Sequence, residues 1–278
     1  DGINVVVVQP YIRLEDKRNP DLIYDNRDIM IDLAKSKIKD NTDLILFPES
    51  SLRSSNNFYY LNPIQQSLLN NKSSLLAGLT YSEDKKDYNS VVQIDLQGVQ
   101  DIYHKMQLVP VVEYTPLSSI FPSLKSINAG QANFTPGDTS KIFKINNYKI
   151  AGMVCYESTF PQLNRKFVNN GAEILIYFVN DGWYKTAPEP QQHAKQSIYR
   201  AIEFRRPVIR CANTGISQII DKTGNIEHRI NLNKEGIISA GVIPSSRLTF
   251  YAKYGDIFAI INILVLVILL GLYFIRKK

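Results

Sequence analysis

Three side chains that can take part in acyl transfer each follow a short apolar segment of the sequence. Glu49 follows DLILFP, Lys105 follows a segment that ends in YH, and Cys155 follows KIAGMV. A cysteine thiolate attacks acyl groups, a glutamate can take up the thiol proton, and a lysine can stabilise the developing negative charge. These residue types predict covalent acyl transfer, with Cys155 as the nucleophile.

The residues next to Cys155 do not by themselves distinguish a reactive thiol from a buried one. Free cysteines are most often inert, and a nucleophilic one needs a nearby cation or base and donors for the oxyanion. Lys105 would supply the cation, Glu49 would be the base if burial raises its pKa, and the backbone N–H of Tyr156 would be a second oxyanion donor. Cys211 lies in the apolar run VIRCA, so we predict an inert thiol there.

Apolar runs and turn residues predict the elements that position these side chains. The predicted strands cover residues 3–8, 43–47, 74–80, 89–96, 99–104, 141–145, 148–154, 173–179, 208–212, 217–221, 226–230 and 236–242. The predicted helices cover residues 20–39, 161–169 and 191–204, and another begins at Asn62-Pro63. Residues 105–139 are irregular and are typical of a binding element or lid. The pattern favours a layered α/β fold with mixed sheets, in which sites form at strand ends.

The C-terminal segment predicts a membrane span. Residues 257–275 are uncharged, and Asn262 is the only strongly polar side chain among them. A helix of about 20 apolar residues crosses a bilayer, whereas a buried core helix normally shows a polar stripe. Arg276, Lys277 and Lys278 follow, which predicts a cytoplasmic C-terminus and a catalytic part outside the cytoplasm.

The chain begins at Asp1 without an export signal, so we expect an upstream membrane domain to be missing from it. The net charge is +6, from 32 basic and 26 acidic residues that are scattered along the chain, which argues against a nucleic-acid partner. We predict one soluble domain over residues 1–245 and a transmembrane helix over residues 256–276.

Three segments in order, LFPES, YHKMQLVPVVEYTP and VCYESTFP, resemble the motifs of the nitrilase or carbon-nitrogen hydrolase superfamily. The resemblance covers residues 3–242. It implies a nitrilase-like αββα sandwich with mixed sheets, and a catalytic triad formed by Glu49, Lys105 and Cys155.

The segments NDGWY and PEPQQHAKQSIYRAIEFRRPVIRCANTGISQIID, with the terminal helix, resemble the apolipoprotein N-acyltransferase family. In that family a cysteine takes an acyl chain from a phospholipid as a thioester. It then passes the chain to the N-terminal amine of a diacylglyceryl-cysteine apolipoprotein. The resemblance implies these two partners, no cofactor, and a catalytic domain on the periplasmic face of the bacterial inner membrane.

The same resemblance implies supporting residues. Glu113 matches an additional essential glutamate that would position Lys105, and otherwise would be a solvated loop charge. Tyr156 and Glu157 directly follow the nucleophile, although Glu157 could equally be structural and pair with Arg206 or another cation.

Other residues are weaker candidates for the site, because their types do not by themselves indicate a reaction. Trp183 and Tyr184 could form a substrate-facing wall or could belong to the core, and Lys185 stands where many members have a small residue. The three histidines lack the spacing of metal ligands, so we predict no metal site. We expect His193 to cap its helix or to pack within it.

The sequence is also compatible with two alternative functions. A membrane-anchored amidase or nitrilase would form the same thioester but transfer the acyl group to water. A nitrilase-fold interaction module with a decayed site would not react at all, although all three triad positions are filled.

Overall fold

Two mixed β-sheets lie face to face between helices. The computed structural model describes residues 2–52, 58–116, 133–183 and 188–277. The strands within them are β1 (Ile3–Gln9), β2 (Leu44–Leu52), β3 (Ser74–Glu83), β4 (Lys86–Asp95), β5 (Gly98–His104), β6 (Phe143–Ile145), β7 (Tyr148–Val154), β8 (Ile174–Val179), β9 (Val208–Ala212), β10 (Ser217–Ile220), β11 (Ile226–Ile230) and β12 (Gly236–Val242). The helices are α1 (Leu14–Arg18), α2 (Ile23–Lys35), α3 (Phe58–Leu68), α4 (Pro161–Asn169), α5 (Glu189–Phe204), α6 (Phe250–Tyr254) and α7 (Ile257–Arg276).

The two sheets have matching patterns of strand direction. The first has the order β12-β1-β2-β3-β4-β5 and the second the order β11-β10-β9-β8-β7-β6. Strands β1, β2 and β3 run parallel, as do β7, β8 and β9, and the outer strands pair antiparallel. The carboxyl ends of the parallel strands are therefore available at one edge of each sheet.

The side chains of β1 alternate between two apolar layers. Val5 and Val7 belong to the core between the sheets, whereas Val6 and Val8 belong to the core between the first sheet and helices α2 and α3. Helices α4 and α5 cover the second sheet. Burial on both faces explains the continuous apolar runs of these strands. The αββα sandwich expected from the resemblance is confirmed.

Several element boundaries differ from the predicted ones. Strands β3 and β4 extend into a tight hairpin over YSEDKKDY, where Asp84 and Lys85 have φ values of 49° and 63°. In place of the predicted helix over residues 20–39, a short 3-10 turn comes first, and α2 follows it and ends at Lys35. Helix α3 begins at residue 58, so that Pro63 lies inside it and not at its start. Residues 117–132 of the predicted lid lie outside the described residues.

The predicted C-terminal helix is present as α7. The helix has 20 residues, and an 18-residue stretch of it has a mean hydropathy of 2.9. None of that stretch is buried against the rest of the chain. At 1.5 Å per residue, its length of about 30 Å matches the hydrocarbon core of a bilayer.

Candidate active site

Three strand ends bring the predicted triad residues to one cavity. Glu49 lies near the end of β2, Lys105 directly follows β5, and Cys155 directly follows β7. All three line a cavity of about 370 Å³. Strands β2 and β5 belong to the first sheet and β7 to the second, so the cavity lies where the two sheets meet.

The backbone at Glu49 leaves the regular sheet geometry. The register between β2 and β3 shifts between Phe47 and Leu52, and Ser50 has a φ of 51°. A Cβ atom placed on Gly78 of β3 would lie 2.5 Å from the Cα atom of Glu49. Glycine at position 78 therefore permits the close approach that places Glu49 in the cavity.

Lys105 is buried beside two carboxylates. Its Nζ atom lies 2.8 Å from each carboxylate oxygen of Glu113 and 4.0 Å from Oε1 of Glu49. The Nδ2 group of Asn89 donates to Oε1 of Glu49 at 2.8 Å and to Oε1 of Glu113 at 2.9 Å. The backbone N–H of Val109 donates to Oε2 of Glu113 at 2.8 Å. These contacts fix the ammonium group and both carboxylates relative to one another.

Burial and charge set the protonation states of this cluster. Burial opposes the charge on Lys105, but the carboxylates of Glu49 and Glu113 raise the pKa of Lys105 above its ordinary value. Burial raises the pKa of Glu49, and the charge of Lys105 partly counteracts this shift. Lys105 therefore stays protonated, while Glu49 has the raised pKa that suits a general base.

Cys155 occupies a left-handed backbone conformation, with a φ of 50°, at the start of a 3-10 turn. Such a conformation is unfavourable for a residue with a Cβ atom and is concentrated at functional sites. Burial, followed by the charge of Glu49, raises the pKa of the Cys155 thiol well above its ordinary value. The thiol therefore keeps its proton until a base removes it.

Glu157 connects the 3-10 turn Cys155–Thr159, called the nucleophile turn below, to the segment that carries Lys105. Its Oε2 atom accepts from the backbone N–H of Val154 at 2.8 Å. Its Oε1 atom accepts from the hydroxyl of Tyr103 and from the backbone N–H of Met106, both at 2.7 Å. Glu157 is fully buried, and burial raises its pKa. The side chain thus connects the two sheets directly behind the candidate nucleophile.

The alternative pairing of Glu157 with Arg206 is wrong. The guanidinium group of Arg206 donates to the backbone carbonyl groups of Ala172, Ser246 and Arg247 at 2.7, 3.0 and 2.8 Å. Arg206 therefore satisfies its donors with backbone oxygens and holds the segment that follows β12 against the domain.

The expectation that His193 caps or packs within its helix is also wrong, because its side chain lines the cavity. Its Nε2 atom lies 3.1 Å from the carbonyl oxygen of Cys155 and 3.0 Å from Oγ of Ser158. Its Nδ1 atom lies 2.8 Å from Oδ1 of Asp181. Arg210 donates to the other oxygen of Asp181 at 2.6 Å. The imidazole therefore connects a buried ion pair to the nucleophile turn.

The protonation of this second cluster follows from burial. Burial, followed by the charge of Arg210, lowers the pKa of His193. Burial opposes the charge on Asp181, but Arg210 and His193 lower its pKa overall. Asp181 directly follows Asn180 at the end of β8, so its strand-end position in NDGW was the sequence signal that could have identified it.

The wall of the cavity beyond the triad combines apolar and polar groups. Trp183 is half-buried, and the guanidinium carbon of Arg18 lies 5.0 Å from its ring centroid. One face of α5 contributes further polar side chains, namely those of Glu189, Gln192 and Gln196. The apolar lining residues are Val109, Val112, Phe134 and Tyr156. Tyr184 and Lys185 lie outside the described residues.

A family model described as carbon-nitrogen hydrolase matches residues 8–250, which is most of the chain. The chain belongs to the carbon-nitrogen hydrolase family. A solved structure from this superfamily, a nitrilase-superfamily member from Saccharomyces cerevisiae, superposes with a TM-score of 0.65 at 18% identity. The match covers 86% of this chain and 89% of the other. That likeness shows a shared carbon-nitrogen hydrolase fold.

Curated relatives in the family carry a narrower name. The chain is 32% identical over 278 residues to the apolipoprotein N-acyltransferase of Rickettsia prowazekii, covering 96% of this chain and 55% of that protein. It is 35% identical over 174 residues to the apolipoprotein N-acyltransferase of Geobacter metallireducens, covering 63% of this chain and 33% of that protein. The chain thus spans about half the length of the first of these proteins and a third of the second.

One group of side chains in this carbon-nitrogen hydrolase resembles a metal donor set. Ligand atoms of Cys155, Asp181 and His193 lie within 4.8 Å of one another. Both carboxylate oxygens of Asp181 already face donors, and the guanidinium of Arg210 lies 2.6 Å from one of them, where it would repel a cation. Within the described residues, these atoms fit a hydrogen-bonded network better than a metal site.

Proposed function

We propose that this chain is the catalytic part of an apolipoprotein N-acyltransferase. The observation that carries the proposal is the position of Cys155 in a cavity beside a buried lysine and a glutamate of raised pKa. The names of the curated relatives support an N-acyltransferase, and the exposed apolar helix α7 suits an enzyme whose substrates are held in a bilayer.

The first half-reaction would form a thioester. Glu49 takes the thiol proton of Cys155 as the sulfur attacks the carbonyl carbon of a phospholipid acyl ester. The ammonium group of Lys105 and the backbone N–H of Tyr156 stabilise the tetrahedral oxyanion. The ester C–O bond breaks, Glu49 returns the proton to the departing oxygen, and a lysophospholipid leaves.

The second half-reaction would use the same groups in the reverse order. The neutral N-terminal amine of a diacylglyceryl-cysteine apolipoprotein attacks the thioester carbonyl, and Glu49 accepts a proton from the attacking nitrogen. The C–S bond breaks as the amide forms, and the proton on Glu49 returns to the sulfur of Cys155. The enzyme is regenerated without a change in oxidation state, and no cofactor takes part in either step.

The remaining predicted site residues would assist these steps. Glu113 holds the ammonium of Lys105 in place through its two short contacts. Glu157 holds the nucleophile turn, and Trp183 provides an apolar wall for the substrate. We assign the catalytic domain to residues 1–245 and the membrane helix to residues 256–276.

The location follows from the same proposal. The relatives act on lipoproteins by name, and α7 has the length and hydropathy of a membrane span. We place the catalytic domain on the periplasmic face of the inner membrane. Arg276 and Lys277 at the end of α7 favour a cytoplasmic C-terminus.

Mass spectrometry of the intact protein in phospholipid vesicles tests this function. We expect an acyl adduct on Cys155 in the absence of acceptor, and transfer of that acyl group to the amine of an added diacylglyceryl-cysteine lipopeptide. Cys155→Ala should lose the adduct, and the matched variant Cys211→Ala should keep it. An adduct that persists in Cys155→Ala contradicts the proposal. Release of ammonia from small amides without lipopeptide acylation would instead identify an amidase.

A further inference from the structure

Helix α6 carries two exposed aromatic side chains directly before the membrane helix. The side chains of Phe250 and Tyr254 are 67% and 55% exposed, and their ring centroids lie 4.7 Å apart. The opposite side of α6 packs on the domain, because Ala252 is fully buried and the ring of Tyr251 lies 5.7 Å from that of Phe204. Phe250 and Tyr254 together are called the aromatic ledge below.

The catalytic domain holds the junction between α6 and α7. Arg165 of α4 donates to the backbone carbonyl of Ala252 at 2.8 Å and also to that of Lys253. Gln162 of α4 donates to the carboxylate of Asp256, the residue that precedes α7. Helix α4 begins two residues after the turn that Cys155 starts. One helix therefore connects the nucleophile turn to the start of the membrane helix.

The depth of the aromatic ledge follows from the length of α7. A helix of about 30 Å fills the hydrocarbon core, so Ile257 at its start would lie near the boundary of that core. Tyr254 precedes Ile257 by three residues, which is at most roughly 11 Å of chain. The polar layer on each side of the core is about 5–8 Å thick. The ledge is thus within reach of the headgroup layer.

We propose that the aromatic ledge is a membrane-contact surface that lies in the headgroup layer and orients the catalytic domain on the bilayer. Aromatic side chains, above all those with a polar tip such as Tyr254, favour this layer. The exposed cations Arg247 and Lys253 next to the ledge favour anionic lipid headgroups. This charge and the continuity with α7 favour a lipid surface over a protein partner. The proposal depends on the membrane location given under the proposed function, but not on acyl transfer.

Fluorescence quenching by brominated lipids tests the ledge. Trp183 is the only tryptophan, so Trp183→Phe gives a background in which single tryptophans can be placed. The intact protein is reconstituted in phosphatidylcholine and phosphatidylglycerol vesicles whose acyl chains carry bromine near the headgroups. We expect Phe250→Trp fluorescence to be quenched. Leu96→Trp, an exposed site in the turn between β4 and β5, should not be quenched.

A third single-tryptophan variant distinguishes a failure of the ledge proposal from a failure of the membrane location. Phe258→Trp in α7 should be quenched in any protein whose membrane helix is inserted. If Phe258→Trp is quenched while Phe250→Trp behaves like Leu96→Trp, the ledge faces water or a protein partner and the proposal is wrong. If neither is quenched, the membrane location and the ledge both fail. The acyl adduct on Cys155 is measured separately and would still decide the chemistry.

Discussion

The two cysteines of this chain are both associated with strands of the second sheet, but their surroundings are very different. Cys155 directly follows β7, and Cys211 lies within β9. Both are free thiols, and burial raises the pKa of each. The Sγ atom of Cys211 lies 3.5 Å from the carbonyl oxygens of Val8 and Leu46, either of which its S–H group can face. Its hydrogen-bond partners are thus backbone groups of the opposing sheet.

Cys155 differs in having a cavity and ionisable neighbours. The charges of Glu49 and Lys105 act on its thiol, and all three residues line the same cavity. A raised pKa therefore does not distinguish the two cysteines. The two cysteines differ instead in their neighbours, because only Cys155 shares a cavity with Glu49 and Lys105, the residues to which we assign the roles of base and oxyanion donor.

The largest expected difference is in covalent labelling. Iodoacetamide should modify Cys155 in the folded protein, because Glu49 can remove its proton, and should leave Cys211 unmodified. Peptide mapping by mass spectrometry measures both sites in one sample. Labelling should vanish in Cys155→Ala and persist in Cys211→Ala. Equal labelling of the two sites would show that Cys155 is no more reactive than Cys211 and would contradict the comparison.

Replacing the base should make Cys155 behave more like Cys211. Glu49→Gln keeps the shape of the side chain but cannot accept the thiol proton, so acyl-adduct formation should fall by roughly 10²–10⁴-fold. Rapid-quench mass spectrometry of the Cys155 adduct measures the rate. Glu189→Gln, an exposed glutamate at the same cavity, is the matched control and should change the rate little. Equal rates in the two variants would exclude Glu49 as the base.

Removing the cation should affect both rate and stability. Lys105→Met deletes an oxyanion donor, which should slow adduct formation by roughly 10²–10³-fold. It also leaves the buried carboxylate of Glu113 without its ion-pair partner, which should lower the free energy of unfolding by about 3–5 kcal/mol. Adduct kinetics and urea denaturation measure the two effects. Full activity in a folded Lys105→Met protein would contradict the assignment.

The pH dependence of Cys155 labelling should report Glu49. A general base works only when it is deprotonated, and burial raises the pKa of Glu49. The labelling rate should therefore fall as pH decreases through a value above the ordinary carboxylate range, by about tenfold for each pH unit. This decrease in rate at low pH should disappear in Glu49→Gln. If the decrease is unchanged in that variant, it is caused by the titration of another group.

The smallest expected effect concerns the backbone behind Glu49. The methyl group in Gly78→Ala would press on the Cα atom of Glu49, so we expect a loss of about 1–3 kcal/mol in the free energy of unfolding and slower labelling of Cys155. Gly241→Ala in β12, where the nearest atom would lie at 3.7 Å, is the control. Thermal denaturation and labelling rates should separate the two variants.

The sequence predicted most strands because their signal is local, whereas the sandwich was implied by the resemblance of three motifs to a known family, and the triad assignment rests on the same resemblance. Apolar runs buried on both faces identify strands, and the triad residues stand where such runs end. The lengths of β3 and β4 were underestimated at their hairpin, because YSEDKKDY is polar and mostly exposed. It therefore lacks the apolar alternation that indicates a strand. Helix boundaries were least reliable where an Asn-Pro pair suggested a start, as at Pro63, which lies inside α3.

The second cluster as a whole could not be predicted, although the strand-end position of Asp181 was a signal, since its parts meet only in the folded chain. Asp181, His193 and Arg210 come from a strand end, a helix and a strand, and no spacing relates them. The same limitation explains the mistaken pairing of Glu157 with Arg206. Both are buried and charged, but each finds its partners elsewhere, Glu157 among hydrogen-bond donors and Arg206 among backbone carbonyl groups.

The division of the site between the two sheets has a consequence for folding. Glu49 and Lys105 come from the first half of the chain, and Cys155 comes from the second. Contacts between such distant residues form late, after the loops between them have closed. A growing or partly folded chain therefore carries a thiol that lacks both its base and its cation. Under the proposed function, Cys155 becomes reactive only when the two sheets dock, so labelling of this thiol would report that the domain has finished folding.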